Sequence, residues 1–119
     1  MDSNDNNYVT DYVHNSVKKF TRTGNFISWG LEGTGDGQFM APIGIGTFAA
    51  DTLLVVDMLN NRIQEFSNDS IFITKWGSRG TQQGEFIHPI GVGINKTDSM
   101  HYISDPQNHR VQRFIGTHV

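Results

Sequence analysis

An all-β repeat architecture is what this 119-residue sequence predicts, on three observations. Trp29 to Gly46 (WGLEGTGDGQFMAPIGIG) returns at Trp76 to Gly93 (WGSRGTQQGEFIHPIGVG), 47 positions on, with ten of 18 residues identical and no gap. The triplet-plus-acid Tyr8-Val9-Thr10-Asp11 recurs in kind at Leu54-Val55-Val56-Asp57 and Tyr102-Ile103-Ser104-Asp105. Each time a β-branched residue follows at plus six (Val17, Ile63, Val111) and a phenylalanine at plus nine (Phe20, Phe66, Phe114). No stretch holds a helical period over three turns; short β-branched and aromatic runs are instead broken by Gly, Asn, Asp and Pro, the mark of strands and tight turns. A period between about 20 and 50 residues signals units that bury their apolar faces only against one another.

The elements follow in order within one period. The middle copy holds four runs, Ile43–Phe48, Leu53–Asp57, Arg62–Phe66 and Phe72–Trp76, and four short strands per repeat describe one blade of a β-propeller. Pro42 and Pro89 stand at the entry of the first strand, where a missing N–H costs least. Gly44 and Gly91, inside Gly-Ile-Gly and Gly-Val-Gly, predict close backbone approach around the ring axis. In the third run Ile63 and Phe66 lie an odd number of residues apart, so they point to opposite faces, and a blade sandwiched between neighbours buries both. The interval from Phe72 to Trp76 is one residue longer than that from Phe26 to Trp29, which predicts a β-bulge. Asp57-Met58-Leu59-Asn60-Asn61-Arg62 and Asp105-Pro106-Gln107-Asn108-His109-Arg110 predict turns closed by Asp and Asn side chains, with the arginine pairing to the aspartate or to a neighbouring carbonyl. The first copy keeps Asp11 but has Ser16 in the arginine's place.

These residues resemble a known family. Asn108-His109-Arg110-Val111-Gln112-Arg113-Phe114 and Asn61-Arg62-Ile63-Gln64-Glu65-Phe66 look like the signature of NHL repeats, and Gly84-x-Phe86-x-x-Pro89-x-Gly91-Val92 looks like the start of the same repeat. The resemblance runs from Tyr8 onward and implies a propeller that is six-bladed in full-length relatives. Those relatives are mostly platforms for protein binding and in some cases bind single-stranded RNA; a minority of similar propellers are metal-dependent lyases, lactonases or hydrolases. The chain reads as a single segment over 1–119, an incomplete arc with blades at 8–30 (partial), 42–77 and 89–115 (partial). Strands count three, four and three. The chain is then either a piece of a larger propeller or one whose copies associate through exposed terminal blades, since open arrays need polar caps and none is visible.

Composition narrows the function. A formal charge of -3 and the absence of a basic run longer than Lys18-Lys19 argue against a nucleic-acid partner. No cysteine is present, which removes disulfides and thiolate metal sites. There is no apolar run of the roughly 18 residues a membrane span needs, and the polar start MDSNDNN is the reverse of a signal peptide. Asn68-Asp69-Ser70 and Asn95-Lys96-Thr97 match the glycosylation pattern by chance-level spacing. Gly33-Thr34-Gly35-Asp36-Gly37 lacks the Lys-Ser or Lys-Thr of a phosphate loop and reads as an inter-blade turn; Asp2-Ser3-Asn4-Asp5-Asn6 starts like a calcium loop but meets Val13 where the bidentate Glu belongs. His14, His88, His101, His109 and His118 show no helical zinc spacing.

No nucleophile elbow appears, and no catalytic, cofactor or metal residue is assigned. A residue repeated in each blade is scaffold, which places Asp11, Asp57, Asp105, Arg62, Arg110, Trp29, Trp76, Phe39, Phe86, Pro42, Pro89, Gly44 and Gly91 in structural roles. Function is expected where the copies differ, in loops: His88 (against Ala41), Arg79, Met58, Leu59, Pro106 and Gln107. The expected activity is non-catalytic protein binding by loops on a rigid scaffold; a propeller enzyme fragment and a single-stranded RNA binder are the other two classes.

Overall fold

A computed structural model describes residues 5–48, 52–95 and 97–115. Ten strands form three antiparallel sheets in chain order. The first holds β1 (Asn7–Asp11), β2 (Ser16–Phe20) and β3 (Phe26–Trp29). The second holds β4 (Pro42–Phe48), β5 (Thr52–Asp57), β6 (Arg62–Phe66) and β7 (Phe72–Trp76). The third holds β8 (Val92–Ile94), β9 (Met100–Asp105) and β10 (Arg110–Ile115). Each sheet is a simple meander, and β4 lies against β1 on one side and β8 on the other. The expected arc of an incomplete propeller is what the chain forms.

Two apolar clusters hold the three sheets together, one in each gap. Val17 and Phe39 meet Leu53, Val55 and Phe66 in the first; Leu54, Val56, Ile63 and Phe86 meet Ile103 in the second. Ile63 and Phe66 therefore do serve opposite faces, and both are almost fully buried, each contributing about 1.5–3 kcal/mol by removal from water. The same phase in an outer sheet has a different fate: Val111, the counterpart of Ile63, is 63% exposed. Sequence sets the strand; position in the stack sets its burial.

Local details follow the repeat differences. Between β2 and β3 the register is continuous, from Val17 opposite Trp29 to Phe20 opposite Phe26. Between β6 and β7 it shifts: Glu65 faces Thr74 and Phe66 faces Phe72, so Ile73 is the extra residue. The predicted bulge is there, and it turns Ile73 outward. Gly44 sits in a second irregularity, between Pro42 and Ile45. A Cβ on Gly44 would collide with the carbonyl oxygen of Ile90 and lie 3.0 Å from a Val56 methyl, so the inner strands do crowd each other as predicted.

The inner strand of the third sheet corrects one expectation. Pro42 opens β4, but β8 begins only at Val92, leaving Pro89 and Gly91 outside the strand. Ser104 takes over the pairing there. Its hydroxyl accepts from Gly91 N–H at 2.8 Å, its N–H donates to Gly91 O at 2.9 Å, and its carbonyl accepts from Ile90 N–H at 3.1 Å. The expected blade-two counterpart of Ser104 is Val56, which has no hydroxyl to offer the backbone. The readings placed on Asp2, Ser3, Asn4, Lys96 and His118 lie outside the described residues.

Candidate functional site

The recurring turn is a latch that grips the loop entering its own sheet. After β5, Met58–Asn60 form one 3-10 turn ended by Asn61 in the left-handed region (φ 52°). Buried Asp57 accepts the Met40 N–H at 2.8 Å on Oδ1, and on Oδ2 the Asn60 amide at 2.9 Å and Arg62 Nε at 2.8 Å. The rest of the Arg62 guanidinium donates to three loop carbonyls, Thr34 (2.7 Å), Gly35 (2.9 Å) and Gln38 (2.8 Å). Gln64 adds Nε2 to Gln38 O and accepts from Gly37 N–H. Both roles expected of the arginine, aspartate pairing and carbonyl capture, occur together, because its planar fork has donors to spare. Gly33–Gly37 is accordingly an inter-sheet turn held by its carbonyls.

The third sheet repeats this with looser geometry. Asp105 accepts from Ile87 N–H (3.0 Å) and the Asn108 amide (2.8 Å); Arg110 donates to Thr81, Gln82 and Glu85 carbonyls, and its Nε stands 3.5 Å from Asp105. The first sheet departs. His14, Ser16 and Lys18 replace the Asn, Arg and Gln of the latch, and Asp11 is instead held by Lys18 Nζ and His14 Nδ1, each at 2.8 Å. The Lys18 ammonium, then His14, hold its carboxyl well below the usual carboxylate range.

A second set of bonds joins neighbouring sheets. Asn15 Oδ1 accepts the Ala41 N–H at 2.8 Å, and Asn61 Oδ1 accepts the His88 N–H at 2.7 Å. Ala41 and His88 both have positive φ (56° and 50°). Asn61 belongs to the turn motif and Asn15 holds the same place in the first sheet, but their partners lie 27 and 26 residues away, and Asn at that position in two of the three copies is the only sequence sign of them.

Among the predicted loop residues, the structure brings His88 and Gln107 together, with ring Nδ1 and amide Nε2 3.1 Å apart. Pro106 begins the 3-10 turn that carries Gln107. Met58 and Leu59 use their N–H groups on Ala41 O and Met40 O, while the Leu59 side chain stays exposed. Arg79 pairs with Phe86 in an isolated parallel bridge, as Glu32 does with Phe39. A cleft of about 510 Å3 runs between Leu59, Asn60, Trp76 and Arg79. Tyr12, Val13 and Leu31 add exposed apolar surface at the equivalent turn and loop of the first sheet. Trp29 packs edge-on against Phe66, Trp76 lies tilted against Phe114, and Phe39 and Phe86 are fully buried. No group of three or more metal-ligating side chains is present among the described residues.

One buried pair of positions escaped the sequence reading. Glu65 and His101 are almost wholly buried between the second and third sheets, where His101 stacks on Trp76 and meets Phe48 edge-on. Desolvation pushes the Glu65 carboxyl up to about 7. Its counterparts in the outer sheets are Lys19 and Arg113, so the repeat itself offered no acid to notice.

Comparisons with known proteins agree with this geometry. No protein-family model matches the chain. Protein lin-41 of Caenorhabditis elegans, an NHL-repeat protein, is 40% identical over 52 residues, which is 44% of this chain and 4% of that protein. A streptogramin B lyase structure superposes with a TM-score of 0.77 at 17% identity, over 98% of this chain and 36% of that one. The chain is a partial, NHL-like β-propeller. An inactive virginiamycin B lyase variant from Staphylococcus aureus, solved with quinupristin, matches at a TM-score of 0.75 and 18% identity over 97% of this chain and 36% of the other. The arc thus spans about a third of those propellers and a small part of the lin-41 protein. At such identities the likeness to the lyases is one of fold.

Proposed function

We propose that this NHL-type arc is a non-catalytic scaffold for protein binding, part of a larger propeller that is six-bladed, and that its partner is taken by the loops beside the latches. The observation that supports this most is how the polar residues are spent. In the second and third sheets the Asp, Asn, Arg and Gln of the motif are committed to turn closure and loop capture. What remains outward at that end of the sheets does not repeat: Tyr12 and Val13, Leu31, Leu59 and Arg79, and the Pro106-Gln107 turn with His88 beside it. Rigidly held loops with unlike, partly apolar side chains are suited to recognition. The apolar outer faces of the first and third sheets are covered, in this reading, by the adjoining blades of the larger ring.

The test is affinity capture with the folded chain, followed by Leu59→Asp combined with Arg79→Glu. Both sites are at the surface, so circular dichroism should be unchanged while capture of the partner drops at least tenfold. Capture that ignores the double substitution, or no partner above background, contradicts the proposal.

A further inference from the structure

The cleft at the latch end of the second sheet is built from the middle of the arc. One wall is the latch turn, with Leu59 and Asn60, and Thr34 of the loop it grips; the other is the end of β7 and the loop leaving it, from Trp76 to Arg79. The second sheet has a neighbour on each side, so the adjoining blades of a larger ring pack on the outer faces of the first and third sheets and leave this cleft open. Both walls are fixed, each by a different latch. Arg62 holds the Thr34 carbonyl at 2.7 Å. On the other wall Ser78 O accepts the Phe86 N–H at 2.8 Å, and Arg110 grips carbonyls further along the same loop. A groove with ordered walls loses little entropy on binding. Its charges do not balance: Arg62, Lys75 and Arg79 line it and no carboxylate does. Arg62 is paired with Asp57 at 2.8 Å and Lys75 with Asp36 at 2.6 Å. Arg79 is exposed and, among the described residues, has no ion-pair partner. On the facing wall Leu59 is exposed, beside the half-buried indole of Trp76. The first copy has Leu31 in the place of Ser78 and Glu32 in that of Arg79, a bulkier side chain and the opposite charge.

We infer that this groove takes an extended segment of a partner protein that carries an aliphatic residue and, two positions along, an aspartate or glutamate. In an extended chain those two side chains share a face. The aliphatic one packs on Leu59 and Trp76, and the carboxylate meets the Arg79 guanidinium, whose planar fork suits bidentate pairing. Thr34 and Ser78, one on each wall and both exposed, offer hydroxyls to the segment's peptide groups. A nucleic acid is the poorer fit, because phosphate binding draws on several cations at once, and here a single one is uncompensated in a chain of formal charge -3. The inference rests on the loop-binding reading above and gives its partner a chemistry.

The test selects random peptides displayed on phage against the full chain and remakes the enriched sequences as fluorescein-labelled peptides for titration by polarisation. An acid two positions from Leu, Ile or Val should be enriched, with affinity that falls as salt rises. Arg79→Glu should weaken binding about fivefold or more, through loss of the pair and gain of a like charge. A peptide with lysine in place of its acid should bind Arg79→Glu better than it binds the parent chain, a gain that an unfolded variant cannot produce. Leu59→Ser should weaken binding by about threefold to tenfold, and Glu32→Arg, outside the groove, should leave it unchanged. Absence of enriched peptides, enrichment without an acid, indifference to Arg79→Glu or failure of the charge swap overturns the inference. So does displacement of the peptide by single-stranded oligouridylate, which makes RNA the occupant. A captured partner that depends on Leu59 and Arg79 yet is not displaced by the selected peptide sinks this inference and leaves the scaffold reading standing; peptide binding at Arg79 with no captured partner does the reverse.

Discussion

Replacing Arg62 by Met should be among the most damaging single changes available, and far worse than the same change at Arg110. Both arginines occupy the same motif position and capture three loop carbonyls. Their settings differ. The Arg62 side chain is 8% exposed and its Nε sits 2.8 Å from a fully buried Asp57. Arg110 is 27% exposed, and its Nε stands 3.5 Å from Asp105. Removing one partner of a buried pair leaves the other charge uncompensated, at about 3–5 kcal/mol. At Arg110 water can reach the carbonyls and the carboxylate, so the loss falls to about 1–2 kcal/mol.

A domain of this size is stable by roughly 6–18 kcal/mol, so Arg62→Met removes a large fraction of the total. In urea, with a slope of about 2 kcal/mol/M, the midpoint should drop by about 2 M for Arg62→Met and by less than 1 M for Arg110→Met. Adding Asp57→Asn to Arg62→Met should cost less than the two single changes together, because Asn keeps the acceptor for Met40 N–H and removes the stranded charge. Equal midpoints for the two arginine variants, or strict additivity in the double variant, would refute the view that burial of the Asp57 pair sets the energetics of this latch.

Two further expectations concern the sheet gaps. Glu65 titrates near 7 when folded against a reference of 4.5, so the folded state holds its proton longer; stability is full below about pH 4.5, falls as pH rises and levels off above about 7. At about 1.4 kcal/mol per unit the fall is on the order of 3 kcal/mol, and Glu65→Gln should flatten that part of the curve when chemical denaturation is repeated across pH. At the inner strands, Gly44→Ala should lower stability by about 1–3 kcal/mol, since its Cβ meets the Ile90 backbone, while Gly93→Ala, with nothing within 4 Å, should be neutral or raise stability by less than about 1 kcal/mol; thermal melts of the two decide it.

The sequence made the strands legible because repetition supplied three copies of each signal. Arg62–Phe66 and Phe72–Trp76 have the same bounds in the sequence reading and in the structure, and the bulge at Ile73 was visible as one surplus residue against the first copy. What remained hidden depends on which copy meets which neighbour. Val17, Ile63 and Val111 are equivalent in sequence, yet two are buried and one is not. Glu65 stands in a phase otherwise filled by Lys19 and Arg113, so only the stacking order shows that it lies buried against the third sheet. Pro89 and Gly91 misled for the converse reason: the copies match, but Ser104 in place of Val56 offers a hydroxyl that lets the backbone leave regular pairing.

The same logic gives meaning to the first sheet. A latch of Asp, Asn, Arg and Gln presupposes an incoming loop whose carbonyls need donors, and the second and third sheets each hold such a loop. Around Asp11 the donors are Lys18 and His14, both on the carboxylate, and among the described residues neither reaches a loop carbonyl. A guanidinium fork captures two or three carbonyls at once, whereas a single ammonium committed to Asp11 captures none. Val9 and Phe26 of the first sheet are both exposed, so what that sheet offers beyond its latch is apolar surface.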